Sequence, residues 1–252
     1  MVNSFSASAS EILAAAIQDY KRGIILGSKQ TYGKGTVQNI IDLNTFVRNS
    51  EVGDLGALKT TTQKFYRING GSTQLEGVSS DIVMPDRYAY LKMGERDMEN
   101  AMPWDKIDAA PYTVWKQNNF DAIIEKSKER IAAKEDLKLI EENAKWIDER
   151  NKENVYSLNI DKFTAEKKRI EEISKKYKSI SKYNNNLKFE SLPYEVEAMK
   201  VDVSLKEKRM RWHESLAKDI YVEEAINVLD DLQSKETANK TVNVKKDKLV
   251  KF

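Results

Sequence analysis

The pattern of apolar and polar positions changes character part-way along the chain. Near the start, Leu13, Ala16, Ile17 and Tyr20 recur at i, i+3, i+4 and i+7. This predicts a helix from about Ala9 with one apolar stripe, ended by Lys21-Arg22-Gly23, where cations and a glycine favour termination. Before it, Val2 reads as the end of a strand. After it, Ile24-Ile25-Leu26-Gly27 predicts a buried strand, and the run from Val37 to Leu43 predicts another. Strand, helix, strand in this order favours a parallel pair with a crossover. Leu58 to Ile68 and Thr73 to Val83 are strand-like around Asn69-Gly70-Gly71, whose first two residues suit positive φ in a hairpin turn.

From about Met98 glycine nearly disappears and the helical period takes over. Phe120, Ile123, Ile124 and Ile131 form one set, and Leu137, Ile140, Ala144 and Ile147 the next. Further helices are expected from Asp161 to about Lys178, from Val203 to about Lys218 and from Val222 to about Leu232. Asn184-Asn185-Asn186 and Pro193 interrupt the pattern. From about Thr237 a frayed tail is expected, with at most a short strand at Val242 or Leu249. The reading is α/β over residues 1–97, followed by a mainly α-helical domain over 98–252.

Composition narrows the chemistry. The 252 residues carry 42 basic and 40 acidic side chains, a formal charge of +2, and 40% apolar content, enough for a real core. No long block of one sign precedes Lys245, Lys246, Lys248 and Lys251, so nucleic-acid binding is not indicated. No apolar run reaches the ~18 residues of a membrane span, and Met1 is not followed by a charged and then apolar leader. A cysteine nucleophile is excluded because the chain has no cysteine, and a Ser/His/Asp site would have to use the one histidine, His213. His213, beside Trp212, is most simply a partly buried helix residue. No metal or cofactor signature is present, so none is expected.

Two local features carry chemistry. Ser8-Ala9-Ser10-Glu11 fits a capping box, in which the Ser8 hydroxyl and the Glu11 carboxylate satisfy amides at a helix start. The same place lies beside free amides at the positive end of a helix dipole, where an oxyanion could be held. Ser4, Ser6 and Ser10 compete with Ser8 as the exposed serine. Lys34 lies between Gly33 and Gly35, just before a strand. It is either a solvated turn residue or a lysine that the glycines direct inward as a base. The segment from Gly27 to Gly35 fails as a P-loop: five residues separate Gly27 and Gly33, Gly35 replaces the Ser or Thr, and a strand follows. Asp19 lies eleven residues after Ser8 on one helix, a rise of about 16 Å, too far for direct contact. It serves Lys34, a neighbouring loop, or an ion pair near Lys21 or Arg22. Gln38 shares a side with Lys34 if the intervening segment is extended, and its amide oxygen could orient the ammonium.

These residues resemble a known family. Ser6 to Ile12, Gln18-Asp19-Tyr20, Tyr32 to Gln38, Gln63 to Gln74 and Asp81 to Pro85 look like the motifs, in order, of the carboxy-terminal processing, or tail-specific, proteases. Asn100 to Asp105 and Arg150 to Asn159 extend the likeness to the long Gram-negative periplasmic members with a helical C-terminal domain. The resemblance implies Ser8 as nucleophile, Lys34 as general base, Gln38 as the residue orienting the lysine and the Ala9 amide as an oxyanion donor. Asp19 matches a position tied to activity. It implies endoproteolysis of proteins with apolar C-termini through an acyl-enzyme, no cofactor, and a periplasmic setting. The segment Gly27 to Gly33 is one residue longer than the family's usual Gly-x-Pro-Thr version and lacks its proline. The resemblance further implies a C-terminal piece, without the tail-recognising PDZ domain and the first half of the protease core. Such a piece is expected to be weak or inactive alone and to pair with its other half or an adaptor. The alternative is a non-catalytic helical interaction module.

Overall fold

The computed structural model describes residues 1–47, 53–115 and 120–249, with side chains through 234. It is mixed α/β with a helical C-terminal part, as the sequence predicts. Close contacts divide it into two units, one of Val2–Val83 with Leu91–Asn119, the other of Met84–Tyr90 and Phe120–Phe252 with Met1.

In the first unit, α1 (Ala9–Asp19) links Val2 to the strand with which Val2 pairs in parallel. Val2 bridges Gly27, and β1 (Leu26–Gly27) pairs in parallel with β4 (Ile82–Val83). Ala14, Ala15, Ile25 and Val78 form the core, with Val2 and Ile17 against it. The buried face of α1 is Glu11, Ala14 and Ala15, whereas Leu13 of the expected stripe is 65% exposed. The helix is turned because Glu11 is drawn inward by the hydrogen bonds described below, which outweigh burial of one leucine, worth about 1.5–3 kcal/mol.

β2 (Thr36–Asp42) is not the buried strand expected, because Ile40 is 74% exposed. It pairs antiparallel with β3 (Ala57–Lys64), in register from Thr36 opposite Lys64 to Asp42 opposite Ala57, with a bulge between Val37 and Gln38. The expected hairpin around Asn69-Gly70-Gly71 reduces to one bridge, Tyr66 to Ser72, with Gly70 alone of the three at positive φ. Beyond it the chain cannot extend, since Leu75 and Gly77 both take φ of 65° and wind it around the Gly33–Gly35 turn.

The second unit contains α2 (Asp121–Ala133), α3 (Glu135–Lys152), α4 (Ile160–Tyr177), α5 (Pro193–Val201), α6 (Val203–Ala217) and α7 (Ile220–Leu249). Ile123, Leu137, Ile140, Ala144, Ile220 and Val228 are buried. Ser127 and Arg130 of α2 both donate to Glu224 of α7, at 2.6 Å each. α5, with Pro193 at its first turn, was not foreseen. α7 continues through the segment expected to fray, so no strand forms at Val242 or Leu249. No glycine or proline interrupts the sequence between Val222 and Leu249.

Candidate active site

The segment before α1 turns sharply. The Ser6 hydroxyl accepts the Asn3 N–H at 3.0 Å and donates to Asn3 Oδ1 at 3.3 Å, which commits it to a local turn. Ser10 is exposed on α1. Ser8 stands apart, with φ 57° and ψ −116°, a conformation that L-residues rarely adopt and that costs about 1–3 kcal/mol.

The capping box is only half made. The Ser8 N–H donates to Glu11 Oε2 at 2.7 Å, but the Glu11 N–H goes to the Ser8 carbonyl oxygen at 2.9 Å rather than to its hydroxyl. The Ser8 hydroxyl therefore does not cap the helix. Among the described residues the Ala9 N–H, at the positive end of the α1 dipole, is hydrogen-bonded to no acceptor.

The lysine turn is held from both sides. Glu11, wholly buried, accepts from the Thr31 hydroxyl and the Gly33 N–H at 2.6 Å each and from the Lys34 N–H at 2.9 Å. With the Ser8 bond, one carboxylate takes four donors, a set that suits an acceptor-only group. A second link runs from the Tyr32 N–H to the Ser6 carbonyl at 3.0 Å. The flanking glycines have separate reasons. Gly33 has φ +94°, and a Cβ there would lie 2.7 Å from the Leu75 carbonyl oxygen. At Gly35 a Cβ would lie 2.6 Å from the Gln74 nitrogen.

Lys34 is half-buried, and its Nζ donates to Gln38 Oε1 at 3.2 Å. The structure thus brings Lys34 and Gln38 side chains together, and the Ser8 and Lys34 backbones together through Glu11. It does not join the Ser8 hydroxyl to the lysine, since neither makes a hydrogen bond to the other.

Asp19 lies elsewhere. Its carboxylate, 7% exposed, receives Arg67 Nη2 at 2.6 Å, Arg67 Nε at 3.0 Å and Asn69 Nδ2 at 3.2 Å. The ion pair expected near Lys21 or Arg22 is therefore made with Arg67, while Arg22 stacks over the Trp115 ring at 4.2 Å. Gln18 accepts from Arg67 at 3.0 Å and donates to Asp81 at 2.8 Å, joining the end of α1 to β4. Sequence reasoning missed Glu11 beyond its capping role, and also Arg67 and Gln74. The legible signal was an acidic residue on one helix face with two small ones, Ala14 and Ala15, three and four positions after it.

Residues 1–84 match a sequence profile described as Peptidase family S41, and residues 88–234 match one described as C-terminal domain of tail specific protease (DUF3340). The chain belongs to the tail-specific protease family. It is 38% identical over 254 residues to the Tail-specific protease of Haemophilus influenzae, covering 95% of this chain and 35% of that protein. It is 44% identical over 92 residues to the Carboxy-terminal-processing protease of Bartonella bacilliformis, covering 35% of this chain and 19% of that protein. A Probable CtpA-like serine protease of Staphylococcus epidermidis is 28% identical over 200 residues, 75% of this chain and 36% of its own length. The chain thus spans about a third of the length of the first of these relatives. Ser8, Lys34, Gln38, Asp19, Glu11 and Gln74 all fall within the Peptidase family S41 match. Among the described residues no helix is long and apolar enough to cross a membrane.

Proposed function

We propose that this chain carries the catalytic Ser/Lys pair of a serine endopeptidase that cleaves proteins near their C-termini. Lys34 Nζ, as the free amine, takes the proton from the Ser8 hydroxyl as Oγ attacks the scissile carbonyl carbon. The oxyanion that forms is held by the Ala9 N–H. Collapse breaks the C–N bond, the leaving amine takes the proton back from Lys34, and water, deprotonated by the same lysine, hydrolyses the acyl group from Ser8. Gln38 orients the amine through its amide oxygen. Asp19 acts at a distance, holding the end of α1 through Arg67.

The observation that carries this reading is the Ser8 backbone at φ 57° and ψ −116° where a sharply turning segment meets a helix, the strained elbow in which nucleophilic serines are presented. Rotation of the Lys34 side chain toward Ser8, with the Gln38 side chain following it, completes the pair. One orphan amide near Ser8 is a thin oxyanion site, and loss of one donor lowers kcat by about 10²–10³. Slow turnover by these 252 residues alone is therefore expected. The substrates are unstructured proteins with apolar C-termini, met in the periplasm, and an adaptor or the remainder of a longer protein would complete recognition.

The test is acylation by an activated ester, with the modified residue mapped by mass spectrometry. Label on Ser8 that is lost in Ser8→Ala and Lys34→Ala but kept in Ser6→Ala supports the reading. Equal labelling in all four proteins overturns it. A second reading, a non-catalytic module binding a protein partner, is favoured by exposure of Val155, Tyr156, Leu158 and Ile160 at 87, 64, 104 and 71%. Partner binding that persists in residues 98–252 alone would support it.

A further inference from the structure

Every backbone polar group of Gly33, Lys34 and Gly35 has a partner. Glu11 takes the first two N–H groups, Leu75 N–H and the Thr73 hydroxyl serve the Gly33 and Lys34 carbonyls at 2.8 and 3.4 Å, and Phe65 N–H serves that of Gly35 at 3.0 Å. The remaining group, the Gly35 N–H, donates to Gln74 Oε1 at 2.9 Å.

Gln74 is wholly buried, and both ends of its amide are engaged. Its Nε2 donates to the Met102 carbonyl at 3.1 Å and to Glu95 Oε1 at 3.3 Å. Its backbone N–H is fixed by Ser72 Oγ at 3.0 Å. The segment that Gln74 reaches also grips the other side of the lysine turn. The Glu95 N–H donates to the Tyr32 carbonyl at 2.9 Å, and Arg96 donates to the Leu75 and Thr31 carbonyls at 2.8 and 2.9 Å. That segment, Glu95 to Met102, lies outside the Peptidase family S41 match and inside the C-terminal-domain match.

We infer that Gln74 is a positioning residue for Lys34, and that through it the Glu95–Met102 segment of the C-terminal-domain match sets where the lysine stands. The inference rests on the Ser/Lys reading. Glu11 fixes the turn from the Ser8 side and Gln74 fixes it from the far side, so Lys34 is set between two buried acceptors. The chemistry requires an amide, because one end must accept from Gly35 while the other donates to two oxygens. Leucine would leave the Gly35 N–H and two acceptors unpaired. A carboxylate would set its second oxygen against the Glu95 and Met102 oxygens, whereas a carboxylic acid would still accept from Gly35 and give its single proton to one of those two oxygens.

Two variants and two readouts test this: the rate of Ser8 acylation by the activated ester, and the Lys34 ¹⁵Nζ and Gly35 amide resonances. In Gln74→Leu the maximal acylation rate should fall about 10- to 100-fold with little change in the half-saturating ester concentration, as expected for a misplaced base. Both resonances should move. Gln74→Glu should keep near-normal activity on the acid side of its pH profile and lose it on the alkaline side, where leucine stays uniformly low. If Gln74→Leu does not fold, the isosteric Gln74→Glu profile decides alone. Rates within twofold of the parent, unmoved resonances and an unchanged pH profile would overturn the inference while leaving the Ser/Lys reading intact. If the parent chain shows no Ser8 acylation, the Ser/Lys reading falls, and the resonances decide the positioning: movement in Gln74→Leu keeps it, and no movement removes it.

Discussion

Ser8 and Lys34, 26 residues apart in the chain, donate their backbone N–H groups to the same oxygen atom, Oε2 of Glu11, at 2.7 and 2.9 Å. The oxygen beside it takes the Thr31 hydroxyl and the Gly33 N–H. A single buried side chain therefore sets the spacing between the proposed nucleophile's loop and the lysine turn. Glu11→Ala should leave one buried amide, two part-buried amides and the buried Thr31 hydroxyl without this acceptor and destabilise the first unit by about 3 kcal/mol or more. Glu11→Gln, which keeps the shape but faces an NH₂ group toward donors, should cost a sizeable part of that. Urea unfolding followed by the circular dichroism of each variant measures both; a loss below about 1 kcal/mol in Glu11→Ala would contradict the bridging role.

The strain at Ser8 has its own signature. Glycine reaches φ 57° without the Cβ conflict, whereas alanine keeps it. Ser8→Gly should therefore be more stable than Ser8→Ala by about 1 kcal/mol or more, since the strain adds to the ordinary preference for glycine over alanine at an N-cap. Equal or lower stability for the glycine variant, measured by denaturant unfolding, would mean that the backbone there is relaxed.

Asp19 and Arg67 form a nearly buried two-point pair, 7% and 18% exposed. Asp19→Ala should cost about 2–4 kcal/mol, because the guanidinium loses its carboxylate partner. Arg67→Met in the same chain should recover part of the loss, giving a clear coupling energy in a double-mutant cycle. Acylation of Ser8 should fall in step with stability. Abolished acylation at unchanged stability would instead give Asp19 a direct part in the chemistry.

In the helical unit, burial pushes the Tyr221 phenol well above its ordinary 10.0, reinforced by the carboxylates of Asp86 and Asp219. Its hydroxyl donates to the Pro85 carbonyl at 2.7 Å. Because the folded value is raised, the contribution is complete below the unfolded value near 10.0 and is lost as pH rises beyond it. The parent should lose stability above about pH 10 more steeply than Tyr221→Phe. Thermal unfolding from pH 8 to 11 compares them, and identical slopes would show that Tyr221 does not carry the alkaline limb.

The sequence by itself determined the kinds of element and the short list of chemistry. Helical spacing marked α1, α2, α3, α4 and α6, because that period spans one or two turns and is written in adjacent residues. Composition removed cysteine and left one histidine, and the glycines on either side marked Lys34. Gln38 was legible too, since four residues bring it to the lysine amine at 3.2 Å. The local pattern left Ser4, Ser6, Ser8 and Ser10 open and the family resemblance pointed to Ser8, while only the tertiary structure shows that Ser8 is the one of the four at positive φ. Tertiary structure alone turned Glu11 inward, paired β3 with β2 instead of with the segment after Gly71, and gave Asp19 a partner 48 residues away. The reason is physical. Propensity and period act over a few residues, whereas the choice of hydrogen-bond partner for a buried carboxylate or strand edge depends on which distant donors the fold removes from water alongside it.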